Sequence, residues 1–148
     1  MIVLKSDQLC VEFQTLGGAL SSIKDKEGVE YLWQGDPTYW SGQAPVLFPI
    51  CGSVRNDTVL YDKEDGSQKE GKIPRHGLVR KKEFTLVEQT DNSVTFAIED
   101  DEEMYANYPY HFRLEITYTV TGKTIRTQYK IYNKEAEKSM PYFIGGHP

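Results

Sequence analysis

Apolar side chains recur at every second position through much of the C-terminal half of the chain. Val94, Phe96 and Ile98 fall on one side of the alternation, with Thr95 and Ala97 on the other. Phe112, Leu114, Ile116, Tyr118 and Val120 repeat the pattern, as do Ile125, Thr127, Tyr129 and Ile131. Successive residues of an extended strand point to opposite faces, so a period of two marks a strand with one face in a core. Turn chemistry separates these runs. Asp91-Asn92 divides Phe84–Gln89 from Ser93–Glu99, and Thr121-Gly122-Lys123 divides the two longest runs, which predicts hairpins in an antiparallel meander. Leu9–Thr15, Leu20–Asp25 and Glu30–Gln34 read as further strands, broken at Gly17-Gly18 and Lys26-Glu27-Gly28. One helix start stands out, at Asp100–Tyr105, where acidic residues in a first turn complement the helix dipole. The pattern predicts an all-β, mostly antiparallel β-sandwich with at most one short helix.

Between Gly35 and Arg80 the alternation weakens. Pro37, Pro45, Pro49 and Pro74, with Gly42, Gly52, Gly66, Gly71 and Gly77, predict a loop-rich middle. Long ordered loops in a compact domain are commonly functional. This one carries Trp40, Phe48, Arg55, Arg75, His76 and Arg80, an inventory foreign to disordered linkers.

Length and charge narrow the function classes. A chain of 148 residues is the size of one domain and buries about 70% of its unfolded surface, so residues 1–148 are expected to form a single domain. With 17 Lys and Arg against 22 Asp and Glu, the net charge is -5, which gives no electrostatic case for nucleic acid. The basic run Arg80-Lys81-Lys82 reads as the solvated start of a strand. No apolar stretch approaches the roughly 20 residues of a bilayer-spanning helix, and charge at Lys5 comes too early for a signal peptide. A cytoplasmic protein without a membrane partner is expected. Cys10 and Cys51 lack CxxC spacing, and both are expected to be small buried groups.

Two histidines have settings suited to chemistry. His76 lies in Pro74-Arg75-His76-Gly77-Leu78-Val79-Arg80, where two nearby arginines disfavour protonation and leave a neutral imidazole for a polar ligand. A loop histidine satisfied by a backbone carbonyl is the plainer alternative. His147 lies in Gly145-Gly146-His147-Pro148, where glycine permits close backbone approach and proline holds the preceding residue extended. That mounting suits proton transfer or a structural turn. His111 alternates with Phe112 and Leu114 and is expected outside any site. The histidines lack the local spacing of metal ligands. Trp40 is the best candidate platform for stacking a sugar, a role in competition with ordinary core packing.

The succession Pro45-Val46-Leu47-Phe48-Pro49-Ile50-Cys51-Gly52, then His76-Gly77-Leu78-Val79-Arg80, then Tyr108-Pro109-Tyr110-His111-Phe112, then Pro141 to Pro148 resembles the aldose 1-epimerase (galactose mutarotase-like) family. The resemblance runs in order along the whole chain and corresponds to the N-terminal half of a family member. It implies that the sandwich is part of a larger β-supersandwich. It also implies interconversion of the α and β anomers of a hexose or hexose phosphate by acid–base ring opening, with no metal or organic cofactor. Carried over residue by residue, it implies His147 as general acid, His76 as the second histidine bonding sugar oxygens, and Arg55 and Arg80 as substrate-binding residues. Ser53 stands where the family often has arginine, and Leu78-Val79 where Phe-Ala is usual. The family's base, a late glutamate, has no counterpart here, and Glu135 and Glu137 in a polar turn do not replace it. The chain is therefore expected to be an incomplete, weak or inactive form of an isomerase. A non-catalytic carbohydrate-binding or sensing module is the alternative, and self-association through unfinished strand edges is a further expectation.

Overall fold

The computed structural model describes residues 2–148. Two antiparallel sheets enclose the main core. The first has the order β1 (Ile2–Lys5), β2 (Leu9–Gln14), β3 (Ala19–Asp25). The second contains β7 (Thr85–Gln89), β8 (Ser93–Glu99), β9 (Phe112–Thr121) and β10 (Thr124–Asn133), in the order β10-β9-β8-β7. Phe13 of β2 meets Phe96 of β8 and Tyr118 of β9, with ring centroids at 6.2 and 5.1 Å. The Tyr118 hydroxyl donates to the Gly18 carbonyl at 2.9 Å, so its polar end is satisfied inside the sandwich.

The period-two pattern translates directly into β9, where Phe112, Leu114, Ile116, Tyr118 and Val120 are buried and their neighbours lie closer to solvent. β8 is buried on both faces. Thr95 and Ala97 are small, and the register places them beside Glu88, Thr117 and Glu115 of the flanking strands. The Thr95 and Thr117 hydroxyls bond across the ladder at 2.9 Å. The β9–β10 hairpin turns on Gly122-Lys123, with Gly122 at φ 54, the left-handed conformation such tight turns demand. β10 is an edge strand, with Ile125, Tyr129 and Ile131 only partly covered and Thr127 exposed.

The short helix is α1 (Glu102–Asn107), and Asp101 is its N-cap, accepting the Met104 N–H at 2.7 Å. Lys82 bonds Asp101 at 2.9 Å and Glu103 at 2.5 Å, which ties the helix start to the loop before β7.

Several expectations are corrected. Glu30–Gln34 is not a strand: only a bridge from Lys24 to Glu30 forms, and the Glu30 carboxylate binds the Ser22 hydroxyl and the Ile23 and Leu32 N–H groups. Side-chain capping of main-chain donors replaces a ladder there. Arg80-Lys81-Lys82 belongs to a turn, because β7 begins at Thr85. The loop-rich middle holds a hairpin of β5 (Thr58–Asp62) and β6 (Gln68–Lys72). Gly71 of β6 lies against the Asn107 carbonyl, where a side chain would overlap the helix end. Cys51 is exposed and Cys10 is half-buried, so neither is the enclosed apolar group expected.

Candidate functional site

Three segments distant in sequence converge at one end of the sandwich. The strand β4 (Val46–Leu47) pairs antiparallel with β11 (Gly145–Gly146), Leu47 opposite Gly145 and Val46 opposite Gly146. Its continuation binds the third segment, since the Leu78 N–H donates to the Phe48 carbonyl at 2.8 Å. Gly77 makes this approach possible. It sits at φ 86, and a Cβ there would overlap the Phe48 carbonyl oxygen, so only glycine fits without strain. Phe48 is fully buried against Phe112 and Tyr108 and anchors the junction to the core.

His76 occupies the left-handed region at φ 70, an uncommon conformation for a residue with a Cβ. Two bonds hold it: its N–H donates to the Gly52 carbonyl at 2.7 Å, and the Gly52 N–H donates to its Nδ1 at 3.1 Å. Arg75 Nε lies 3.3 Å from Nε2. A neutral imidazole has one lone pair for these two approaching donors. The main-chain amide, fixed by the reciprocal bond, takes it, so Nε2 carries the hydrogen. Partial burial, then the charges of Arg75 and Arg80 and the neighbouring His147, holds the His76 pKa below the usual histidine value. The ring is therefore set up as a neutral hydrogen-bond donor.

His147 is brought alongside by β11 and by its own N–H, which donates to the Pro45 carbonyl at 3.1 Å. Its ring is exposed, with the His76 centroid at 5.8 Å and the Trp40 centroid at 5.1 Å, edge to face. Trp40 is 38% exposed, so it is not a core tryptophan. Its ring lies over Gly42, and the Trp33 indole N–H donates to its carbonyl at 2.9 Å. With Gln14, Gln43, Pro45 and Arg80 it also walls a cavity of about 520 Å³. The segment before β11 is held from below, where the buried Tyr108 hydroxyl donates to the Pro141 carbonyl at 2.8 Å.

Of the residues singled out from sequence, His76, His147 and Trp40 form one cluster. Arg80 is half-buried at the wall of the adjoining cavity. Arg55 opens the 3-10 turn Arg55–Asp57 and is exposed, and its side chain makes no hydrogen bond or ion pair among the described residues. His111 lies apart: its Nδ1 bonds Asp100 Oδ2 at 2.7 Å and its ring stacks on Tyr105 at 4.3 Å. Glu135 accepts the His111 N–H at 2.6 Å, so that carboxylate is engaged away from the pair. Three neighbours were not singled out from sequence as site residues: Arg75, Cys51 and Tyr129. Cys51 Sγ approaches Gly145, and the Tyr129 hydroxyl lies beneath Gly146. Burial, with a contribution from Cys51, pushes the Tyr129 pKa up. Tyr129 belongs to the β10 alternation, which in sequence signals core rather than site.

The antiparallel sandwich with this loop junction is a galactose mutarotase-like fold, and the chain belongs to the aldose 1-epimerase family, which it matches over residues 1–148. It is similar to the protein LacX (chromosomal) of Lactococcus lactis subsp. lactis, with 59% identity over 147 residues, covering 99% of this chain and 49% of the relative. The chain thus spans about half the length of the curated relatives it matches. Among solved structures, a galactose mutarotase related enzyme from Lactobacillus acidophilus superposes with a TM-score of 0.91 at 29% identity, over 99% of this chain and 47% of that one. A galactose mutarotase-like protein from Lactobacillus casei gives 0.90 at 29% identity, over 100% of this chain and 49% of that one.

Proposed function

We propose that this chain supplies the acid side of an aldose 1-epimerase site acting on a hexose or hexose phosphate. The observation that carries the reading is the His76–His147 pair, its centroids 5.8 Å apart with Trp40 against His147. Anomer exchange needs a proton delivered to the ring oxygen as the C1–O5 bond breaks, and a base to take the anomeric hydroxyl proton. His147, exposed and extended from β11, is the proposed acid. His76 cannot be a base at Nε2 while Gly52 occupies its Nδ1 lone pair, so its proposed part is to donate Nε2–H to a sugar oxygen. Arg80 at the cavity wall and the exposed Arg55 are proposed to bind sugar oxygens, and the Trp40 ring to pack on the apolar face of the sugar. The reaction so drawn uses no metal or organic cofactor.

Among the described residues, neither imidazole hydrogen-bonds a carboxylate. Glu135 is engaged by the His111 N–H instead, and the proposal includes little turnover by the 148-residue form, with residues 1–148 as one part of a larger supersandwich. The same engagement favours a second reading, a carbohydrate-binding module that senses sugar without converting it. Location in the cytoplasm belongs to the same proposal; among the described residues no helix is long and apolar enough to cross a membrane. So does self-association through β10, whose outer edge is unpaired in its sheet; a strictly monomeric chain in light scattering contradicts that last part. Polarimetry of fresh α-glucose and α-galactose tests the main reading. An extended form that continues past Pro148 is expected to outpace buffer, and one that never does defeats it.

A further inference from the structure

The turn from Trp33 to Gln43, beside the histidine pair, presents aromatic rings to solvent. It carries Trp33, Tyr39 and Trp40 and no leucine, isoleucine, valine or methionine. Tyr39 is 81% exposed and Trp33 39%, yet the backbone beneath them is closely bonded. The Asp36 carbonyl accepts the Tyr39 and Trp40 N–H groups at 3.0 and 2.9 Å, and its carboxylate accepts the Thr38 N–H at 2.8 Å. The Gln43 side-chain amide donates to the Trp33 carbonyl at 3.0 Å and to the Ser21 carbonyl at 2.7 Å, which ties the turn to β3. The rings also form a contact series that ends at the proposed acid. Tyr39 meets Trp33 edge to face with centroids 6.3 Å apart, the Trp33 indole N–H bonds the Trp40 carbonyl, and Trp40 lies against His147.

An aromatic surface held in water gains free energy when a partner covers it. The neighbouring groups indicate which partner. Protein interfaces combine aromatic anchors with methionine and arginine, and this turn has neither; its polar side chains include Gln34, Thr38 and Ser41, neutral amides and hydroxyls. A pyranose matches both features, because its apolar face packs on a ring while its hydroxyls bond neutral polar groups. Ring opening at C1–O5 requires a free C1 hydroxyl, so a second sugar ring must be joined through an oxygen on another carbon. We propose that Tyr39 and Trp33 form an outer subsite for such a second pyranose ring, and that the site takes a reducing disaccharide whose free-anomer ring lies at the histidine pair. The inference rests on the sugar-epimerase reading and extends its substrate class. Tyr39 here sets specificity and takes no part in proton transfer.

Calorimetric titration of the 148-residue chain with glucose and with cellobiose, lactose and maltose, each of which has glucose as its reducing ring, is the test. At least one disaccharide is expected to bind about threefold or more tightly than glucose. Tyr39→Ala is expected to lower that affinity to the value for glucose in the same variant, and Tyr39→Phe, which keeps the ring, to retain the preference. Leu60→Ala, which removes an exposed apolar side chain of the β5–β6 hairpin, is expected to leave it intact. Equal affinity for all four sugars overturns the proposal, as do the absence of binding by any of them and a preference that survives Tyr39→Ala. A Tyr39-dependent preference in an extended form that shows no anomerisation leaves the outer subsite standing and defeats the epimerase reading. Anomerisation of glucose without disaccharide preference does the reverse.

Discussion

Gly52 and His76 hold each other by a reciprocal pair of bonds: the His76 N–H donates to the Gly52 carbonyl at 2.7 Å, and the Gly52 N–H returns to Nδ1 at 3.1 Å. The pair fixes both the left-handed backbone of His76 and the tautomer of its ring. Rigid mounting of this kind makes a side chain a directed donor before any ligand arrives.

The tautomer is directly observable. Nitrogen-15 shifts of the His76 ring are expected to report Nε2–H at neutral pH, with a midpoint below the usual histidine value because burial and two arginines disfavour the cation. Since the folded pKa is lowered, the unfolded chain binds more protons in the window between the two values. His76 therefore contributes stability above the ordinary histidine pKa, and that share is lost as pH falls toward the folded value. A ring protonated at Nδ1 at neutral pH contradicts this account.

Gly77→Ala places a methyl group on the Phe48 carbonyl at φ 86. Left-handed strain alone costs about 1–3 kcal/mol, and the overlap adds to it. Urea denaturation is expected to show a loss of at least that size, with weakened sugar binding because β4 and the His76 loop separate. A fully stable, binding-competent variant counts against the described junction.

Asp101→Ala removes both the N-cap of α1 and one of the two carboxylate partners of Lys82. Cap loss costs about 1 kcal/mol. The bond from the Met104 N–H, and then that from Lys82, holds the Asp101 pKa below its ordinary value. Its stabilising share is thus complete above the unfolded aspartate pKa and fades as pH falls through the folded one. The wild-type and Asp101→Ala thermal midpoints are expected to converge at low pH; a constant difference contradicts the assignment.

Much of the sandwich is written in the alternation of β8, β9 and β10, because burial of one face imposes a period of two on residue choice. β5 and β6 were not legible for the same reason reversed. That hairpin is largely exposed, with Tyr61 and Gly71 as its buried residues, so selection for a core left no pattern. The Glu30 segment carried strand-like composition, yet its carboxylate satisfies main-chain donors that a ladder needs. At the site, the glycine and proline setting marked His76 and His147 as rigidly held, but not that they meet. Their approach depends on β4 pairing with β11 and on the Gly77–Phe48 contact, both long-range. Cys51 and Tyr129 gave no signal, since each resembles an ordinary packing residue until the chain is folded.

His147 is proposed as the acid of an anomer-exchanging site. The most direct measurement of that role is the α-to-β exchange rate of a hexose and of its 6-phosphate, by magnetisation transfer, in an extended form with and without His147→Ala. The account expects the substitution to lower the rate by about 10²–10⁴ with sugar affinity little changed. Equal rates in the two proteins contradict it.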